Sequence, residues 1–346
     1  MIRDIALRRS KLVIPNHRSS HIGKIPAFGG VSFFLCYFFI TILYYDVSKI
    51  NITLIFLTAL SFIFITGFLD DLKNISPKKK LLGQSLAVMI LMLHPEFRIN
   101  SLHGFMDINE IPAYVSFIGS SIVFLAIINA FNLLDGIDGL TSITGIMVSL
   151  FYAFMYLKLK IDIGVIFCLT TIGTLLAFLR YNFSKKQKIF MGDTGSLIIG
   201  FILGLQTINF LAIDELYFKT LVFDRSGLPL LLIGILFVPI LDTGRVIVLR
   251  AVNGLPIFSP DRNHIHHIIV DYGFSHWKTS IGIGFVNFCA GLIMFQSIRY
   301  LTIWQSFTIL IGMFLGAFIL LFAMNRNYKS LKDKVRIKKI VKKIFG

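Results

Sequence analysis

The stretch NAFNLLDGIDGL, residues 129–140, sets Asn129, Asn132, Asp135 and Asp138 between two apolar runs. Acids at the mouth of a hydrophobic helix are costly, and in membrane proteins they mark functional sites. Gly136 and Gly139 allow a tight turn and a close approach to a ligand. The competing reading is an acidic helix–turn–helix loop without chemistry. A second stretch, GFLDDLKNISPKKKLLGQ (67–84), closes one apolar run with Asp70 and Asp71 and leads to Lys78, Lys79 and Lys80. Adjacent carboxylates point different ways, so one can face a site while the other is structural. A lysine near a membrane surface attracts phosphate as a point charge. Topology explains Lys78 and Lys79 as well, whereas Lys80 opens the next run and is the better ligand candidate.

In FMGDTGSLIIGF (190–201), Asp193 stands at the start of another run. It reads either as an N-cap or as part of a site, since helix N-termini offer unpaired N–H groups to anions. Asp193, Asn132 and the other acids together make an oxygen-rich set. Such a set suits Mg²⁺ bound partly by substrate phosphates. In LDTGRVIVLRAV (241–252), Asp242 and Arg245 are three apart, the spacing of an intrahelical pair. The last stretch, PDRNHIHHIIVDYG (260–273), gathers Arg262, His264, His266 and His267. H-x-H-H suggests zinc, but no fourth ligand follows at a familiar spacing. A cationic, hydrogen-bonding cradle for a pyrophosphate and a sugar is the preferred reading. A general acid–base role for a histidine stays open.

The elements that must hold these residues are apolar. The chain is 55% hydrophobic and only 15% charged, against about 25% charged in a soluble domain. Runs near 20 residues match a hydrocarbon thickness of ~30 Å. The expected fold is all-α, a polytopic integral membrane protein. Its ten spans lie near 27–46, 50–69, 82–94, 112–131, 141–157, 161–180, 195–211, 228–249, 280–297 and 303–324. A basic segment, 1–26, precedes this single catalytic domain (27–324), and a Lys-rich amphipathic tail, 325–346, suited to anionic headgroups follows it. The net charge of +16 reflects loops, not nucleic-acid binding. With both termini on one side, that side holds 27 of the 34 Lys and Arg residues. The positive-inside rule makes it cytoplasmic, and every motif above falls there. Cys36, Cys168 and Cys289 lie within apolar runs, without disulfide or metal spacing.

Taken together, PNHRSSHIGKIPAFGG, GFLDD, NAFNLLDGIDGL, FMGDTGS and PDRNHIHH, in this order, resemble the polyprenyl-phosphate N-acetylhexosamine-1-phosphate transferases. The resemblance runs from about Pro15 to Gly273. It implies Mg²⁺, with Mn²⁺ an alternative, on Asp193 and Asn132. It implies Asp70 as the catalytic acid residue beside a lipid phosphate, with Asp71, Asp135 and Asp138 completing the acidic set. Lys80 falls where the family has a phosphate-contacting lysine. Asn129 joins the substrate-binding set, and Arg262, His264, His266 and His267 match the loop that recognises the donor pyrophosphate and sugar. HIHH after PDRN resembles the N-acetylglucosamine branch. Family members usually carry one more hydrophobic helix before PNHR. Here MIRDIALRRSKLVI is too short and too basic to span, so either the start is shortened or this branch has ten spans.

The expectation is an inner-membrane enzyme whose partners are a UDP-N-acetylhexosamine donor, UDP-GlcNAc first, and undecaprenyl phosphate in the bilayer. A homodimer is left open. UDP-N-acetyl-6-deoxyhexosamine and UDP-MurNAc-pentapeptide are alternative donors. A cation transporter is the alternative of another class, although transporters bind near the midplane and these acids cluster at one interface.

Overall fold

The computed structural model describes residues 27, 29–44, 47–213, 223–256 and 263–345; of the last helix beyond Tyr328 only the backbone path is described. The basic segment before Ala27, most of the PNHR stretch and Arg262 lie outside the described residues. Every expected span is helical: α1 (Gly29–Leu43), α2 (Ile50–Lys73), α3 (Pro77–Leu91), α4 (Ala113–Leu134), α5 (Leu140–Leu159), α6 (Asp162–Asn182), α7 (Gly192–Leu211), α8 (Leu228–Ile235), α9 (Phe237–Val252), α10 (Ile265–Asp271), α11 (His276–Tyr300) and α12 (Ile303–Phe345). Among the described residues there is no strand. Seven helices are long and apolar enough to cross a membrane, and the bent pair α8–α9 makes eight. The short helices α1 and α3 account for the difference from ten.

Helix α7 is the axis of the bundle. It packs against α1, α2 and α4 and is almost wholly enclosed, whereas α12 buries few of its residues between Ile303 and Arg326. Glycines allow the tightest approaches. A Cβ on Gly30 would lie 2.3 Å from the Gly195 nitrogen, and one on Gly67 would lie 2.5 Å from the Thr194 Cα. These contacts press α1 and α2 directly onto the first turn of α7. Polar groups inside the bundle pair with one another, as burial demands. Tyr37 donates to Thr171 Oγ1 at 2.8 Å, and Gln206 Nε2 donates to the same oxygen at 3.1 Å.

Three boundaries differ from the sequence expectation in ways that matter for the site. Helix α3 starts at Pro77, five residues before the expected span, because proline is well placed in a helix's first turn; Lys80 is therefore helical. Helix α4 runs on to Leu134, so Asn132 sits in its last turn and not in the following loop. The expected span 228–249 is broken at Leu236 and bent by 69°. Pro239, two residues into α9, has no N–H to give the Ile235 carbonyl, and the helix cannot run straight through.

Candidate active site

The helix ends at one end of the bundle converge on Lys80. Its ammonium lies 3.1 Å from Asp70 Oδ2, donates to Asn132 Oδ1 at 3.0 Å and pairs with Asp193 Oδ1. Asn132 Nδ2 donates to Asp193 Oδ1 and to Ser196 Oγ, each at 2.8 Å. Residues from α2, α3, α4 and α7 thus meet around one cation. Asp70 is buried, and the other three are half-buried.

Asp71 turns away from its neighbour. Its Oδ1 accepts the backbone N–H of Asp193 at 2.7 Å, and its Oδ2 accepts that of Thr194 at 3.0 Å together with the Thr194 hydroxyl. The α7 N-terminus is therefore capped from across the bundle. Asp193 is not its own helix's N-cap, which is Met191, and its side chain is left to face Lys80 and Asn132. Gly192 has φ +73°, and a Cβ there would lie 2.7 Å from Asp71 Oδ2. Only glycine fits that turn.

Asp138 is held elsewhere. Its Oδ2 receives Lys188 Nζ at 2.6 Å and lies 3.2 Å from His276 Nδ1, while its carbonyl accepts from Ser280 Oγ at 2.7 Å. Burial alone would raise its pKa. The bonds from His276 and Lys188 outweigh burial and hold the carboxyl below its usual value. Asn182 completes this clamp: its Oδ1 accepts the Gly139 N–H at 2.7 Å and its Nδ2 donates to the Ile189 carbonyl at 3.0 Å. Asp135, just past α4, is exposed. The surrounding protein raises its pKa, and the charges of Asp193 and Asp71 add to the rise; its access to solvent damps the first of these effects. Asn129 does not join the Lys80 cluster. Its amide donates to Gln84 Oε1 and to the Leu125 carbonyl, each at 2.8 Å.

The histidine loop reaches the central loop through His266. A Cβ on Gly136 would lie 2.1 Å from His266 Nε2, so only a glycine leaves room for the ring. His266 stacks on His264, with centroids 5.6 Å apart, and tilts against His267 at 4.2 Å. It is 1% exposed, and neither ring nitrogen has a hydrogen-bond partner among the described residues. Burial first, then the neighbouring His267, His264 and His276, holds its pKa well below the usual value, so the ring is neutral. His264 is oriented by Asp242, whose Oδ2 lies 2.9 Å from Nδ1 and whose Oδ1 accepts the Ile265 N–H at 2.7 Å. The expected Asp242–Arg245 pair does not form: Arg245 reaches instead to the Asn263 carbonyl. Both side chains are more useful to the incoming loop than to each other.

Sequence reasoning missed Lys188, His276, Asn182 and Ser196. Lys188 is one of three lysines within four residues, all equally explained by topology, and His276 stands nine residues beyond the histidine motif. The position of Asn182 at the end of a span and that of Ser196 three residues past Asp193 in FMGDTGS were the available signals.

Among the described residues, no group of three or more His, Cys, Asp or Glu is arranged to hold a metal by itself. The oxygens of Asp70, Asp193 and Asn132 nevertheless converge on one positive charge, and such hard donors fit a cation that takes its remaining ligands from phosphate or water.

A bundle of long apolar helices with carboxylates, a lysine and a neutral histidine gathered at one end has the build of a polytopic membrane protein with a polar site at the helix ends. The sequence model of glycosyl transferase family 4 matches residues 52–211. An undecaprenyl-phosphate alpha-N-acetylglucosaminyl 1-phosphate transferase of Salmonella typhi is 30% identical over 80% of this chain and 73% of its own. Its namesake from Escherichia coli (strain K12) is 28% identical, over 99% and 92%. A probable undecaprenyl-phosphate N-acetylglucosaminyl 1-phosphate transferase of Bacillus subtilis (strain 168) is 29% identical, over 90% and 85%. The chain belongs to glycosyl transferase family 4.

Proposed function

We propose that the protein transfers GlcNAc-1-phosphate from UDP-GlcNAc to undecaprenyl phosphate. The observation that carries this reading is the meeting of Asp70, Lys80, Asn132 and Asp193 at one end of the bundle; the names of the relatives support the transferred sugar phosphate and the lipid acceptor. An oxygen of the lipid phosphate attacks the β-phosphorus of the donor. The bond from that phosphorus to the bridging oxygen breaks, and UMP leaves with that oxygen. The lipid then carries a pyrophosphate-linked sugar.

A phosphomonoester is largely dianionic near pH 7, its second pKa being about 6, so the nucleophile needs little help from a base. Asp70 holds it or takes a residual proton. Lys80 draws the phosphates in and offsets their charge. Asp193 and Asn132, with Asp70 beside them, would hold Mg²⁺, which when bound neutralises charge developing on the donor phosphates. Asp71 fixes the first turn of α7 and with it Asp193. The neutral imidazole of His266, without a hydrogen-bond partner among the described residues and with His264 beside it, offers hydrogen bonds to the donor, and Arg262 is assigned to the same loop. The site faces the cytoplasm of a bacterial inner membrane, a reading supported by the 27 of 34 basic residues on that side.

The test is purified protein in detergent with UDP-GlcNAc, undecaprenyl phosphate and Mg²⁺. Lipid-dependent release of UMP is expected. Turnover of UDP-MurNAc-pentapeptide or a UDP-6-deoxy sugar with UDP-GlcNAc inert would replace the donor and keep the chemistry.

A further inference from the structure

The break between α8 and α9 leaves two backbone groups without helical partners. Pro239 cannot donate to the Ile235 carbonyl. Val238 lies in the first turn of α9, where N–H groups have no acceptor within the helix. Both groups are inside the bundle, where an unsatisfied backbone group is costly. One side chain answers both. Asn287 of α11, 1% exposed, accepts from the Val238 nitrogen at 2.9 Å and donates to the Ile235 carbonyl at 2.8 Å. Its amide stands in for the missing turn of helix. Gly234 lets α8 come this close to α11, since a Cβ there would lie 2.4 Å from Met294 Cγ.

What lies beyond the break gives this plug a consequence. Asp242 is one turn past Val238, and it orients His264 and takes the N–H of Ile265. Arg245, a turn further, holds the Asn263 carbonyl. The direction of α9 therefore sets where the histidine loop stands over Gly136. We propose that Asn287 is a positioning residue for donor recognition: by fixing the bend at Leu236 it aims Asp242, and through Asp242 it places His264 and His266. Only a side chain with both a donor and an acceptor serves the two groups at once. The inference rests on the reading of the histidine loop as donor-binding. Its rival is a purely structural role, in which loss of Asn287 loosens the bundle and harms every step alike.

The test compares wild type, Asn287→Leu, Asn287→Ala, His264→Ala and the Asn287→Leu/His264→Ala double variant. KM is measured separately for UDP-GlcNAc and undecaprenyl phosphate in detergent. Asn287→Leu should raise the donor KM about tenfold and leave the lipid KM within about twofold, a coupling of the size seen between interacting residues. In the His264→Ala background the same change should add less to the donor KM than it does in the wild type, because only the route through the Ile265 N–H to His266 remains. Should Asn287→Leu fail to fold, Asn287→Ala, which removes both groups without adding bulk, carries the same comparison. Equal rises in both KM values, or penalties that multiply in the double variant, would overturn the proposal. A raised donor KM in His264→Ala beside a normal one in the Asn287 variants would overturn it alone. A normal donor KM in His264→Ala would remove the donor reading of the loop, and this inference with it.

Discussion

Asp71 accepts the backbone N–H of Asp193 at 2.7 Å, while Asp70, its neighbour in sequence, pairs with Lys80. Two consecutive carboxylates therefore have separate duties. Asp71→Asn should lower stability by about 1.5–3 kcal/mol, the worth of a hydrogen bond to a charged group, and reduce turnover as the first turn of α7 loosens. Asp70→Asn should nearly abolish turnover with little change in stability. Thermal unfolding in detergent, run beside a turnover assay, separates them. Equal stability losses would refute this division.

Asp193 and Lys80 should differ in how their loss is expressed. Asp193→Asn removes an anionic ligand and should cost about a thousandfold in turnover, several kcal/mol of transition-state stabilisation. EDTA should silence the wild type, and Mg²⁺ or Mn²⁺ should restore it. Lys80→Met should cost about a hundredfold, the scale for removing one group that stabilises developing charge. Full activity in EDTA would sink the metal assignment.

The clamp on Asp138 predicts an acid limit. Its folded-state pKa lies below the ordinary value of about 3.9. The stabilisation it provides is present above that value and is lost as pH falls through the lower, folded one. Lys188→Met removes one partner, raises the carboxyl's pKa and should shift the acid unfolding midpoint upward. It should cost about 1–3 kcal/mol at neutral pH. An unchanged acid midpoint would contradict the clamp.

His266 titrates with the opposite sense of charge but the same sign of slope. The folded protein keeps it neutral well below its ordinary pKa of about 6.5, whereas the unfolded chain takes up a proton there. The unfolded state binds more protons, so stability should fall as pH drops from about 7 to 5, by at most about 1.4 kcal/mol per unit. His266→Gln should flatten that slope. A slope identical to wild type would show that His266 is not held neutral.

The helical architecture was legible because apolar length is a strong signal: nine of the ten expected spans match a single helix, and 228–249 is divided into two. The site motifs were legible because unusual polar residues stood at the ends of apolar runs. What lay beyond reach was partnership. Nothing in LDD says that Asp71 caps a helix 122 positions away while Asp70 faces a lysine. Asn129 and Asn132 look alike in the sequence, yet one helical turn puts Asn129 against Gln84 and Asn132 against Asp193. Pro239 carried a warning of the α8–α9 break, but a single proline in an apolar run does not say how far the helix turns or that Asn287 closes the gap.

The contrast between α7 and α12 has an evolutionary consequence. Helix α7 is enclosed on all sides, with Gly30 and Gly67 pressed to its first turn where not even a methyl group fits. Helix α12 buries few of its residues between Ile303 and Arg326. Random substitution should be purged from the first and tolerated in the second wherever hydrophobicity is kept. Among diverging descendants of this chain, α7 would stay readable longest, and α12 would be the first helix whose ancestry is erased.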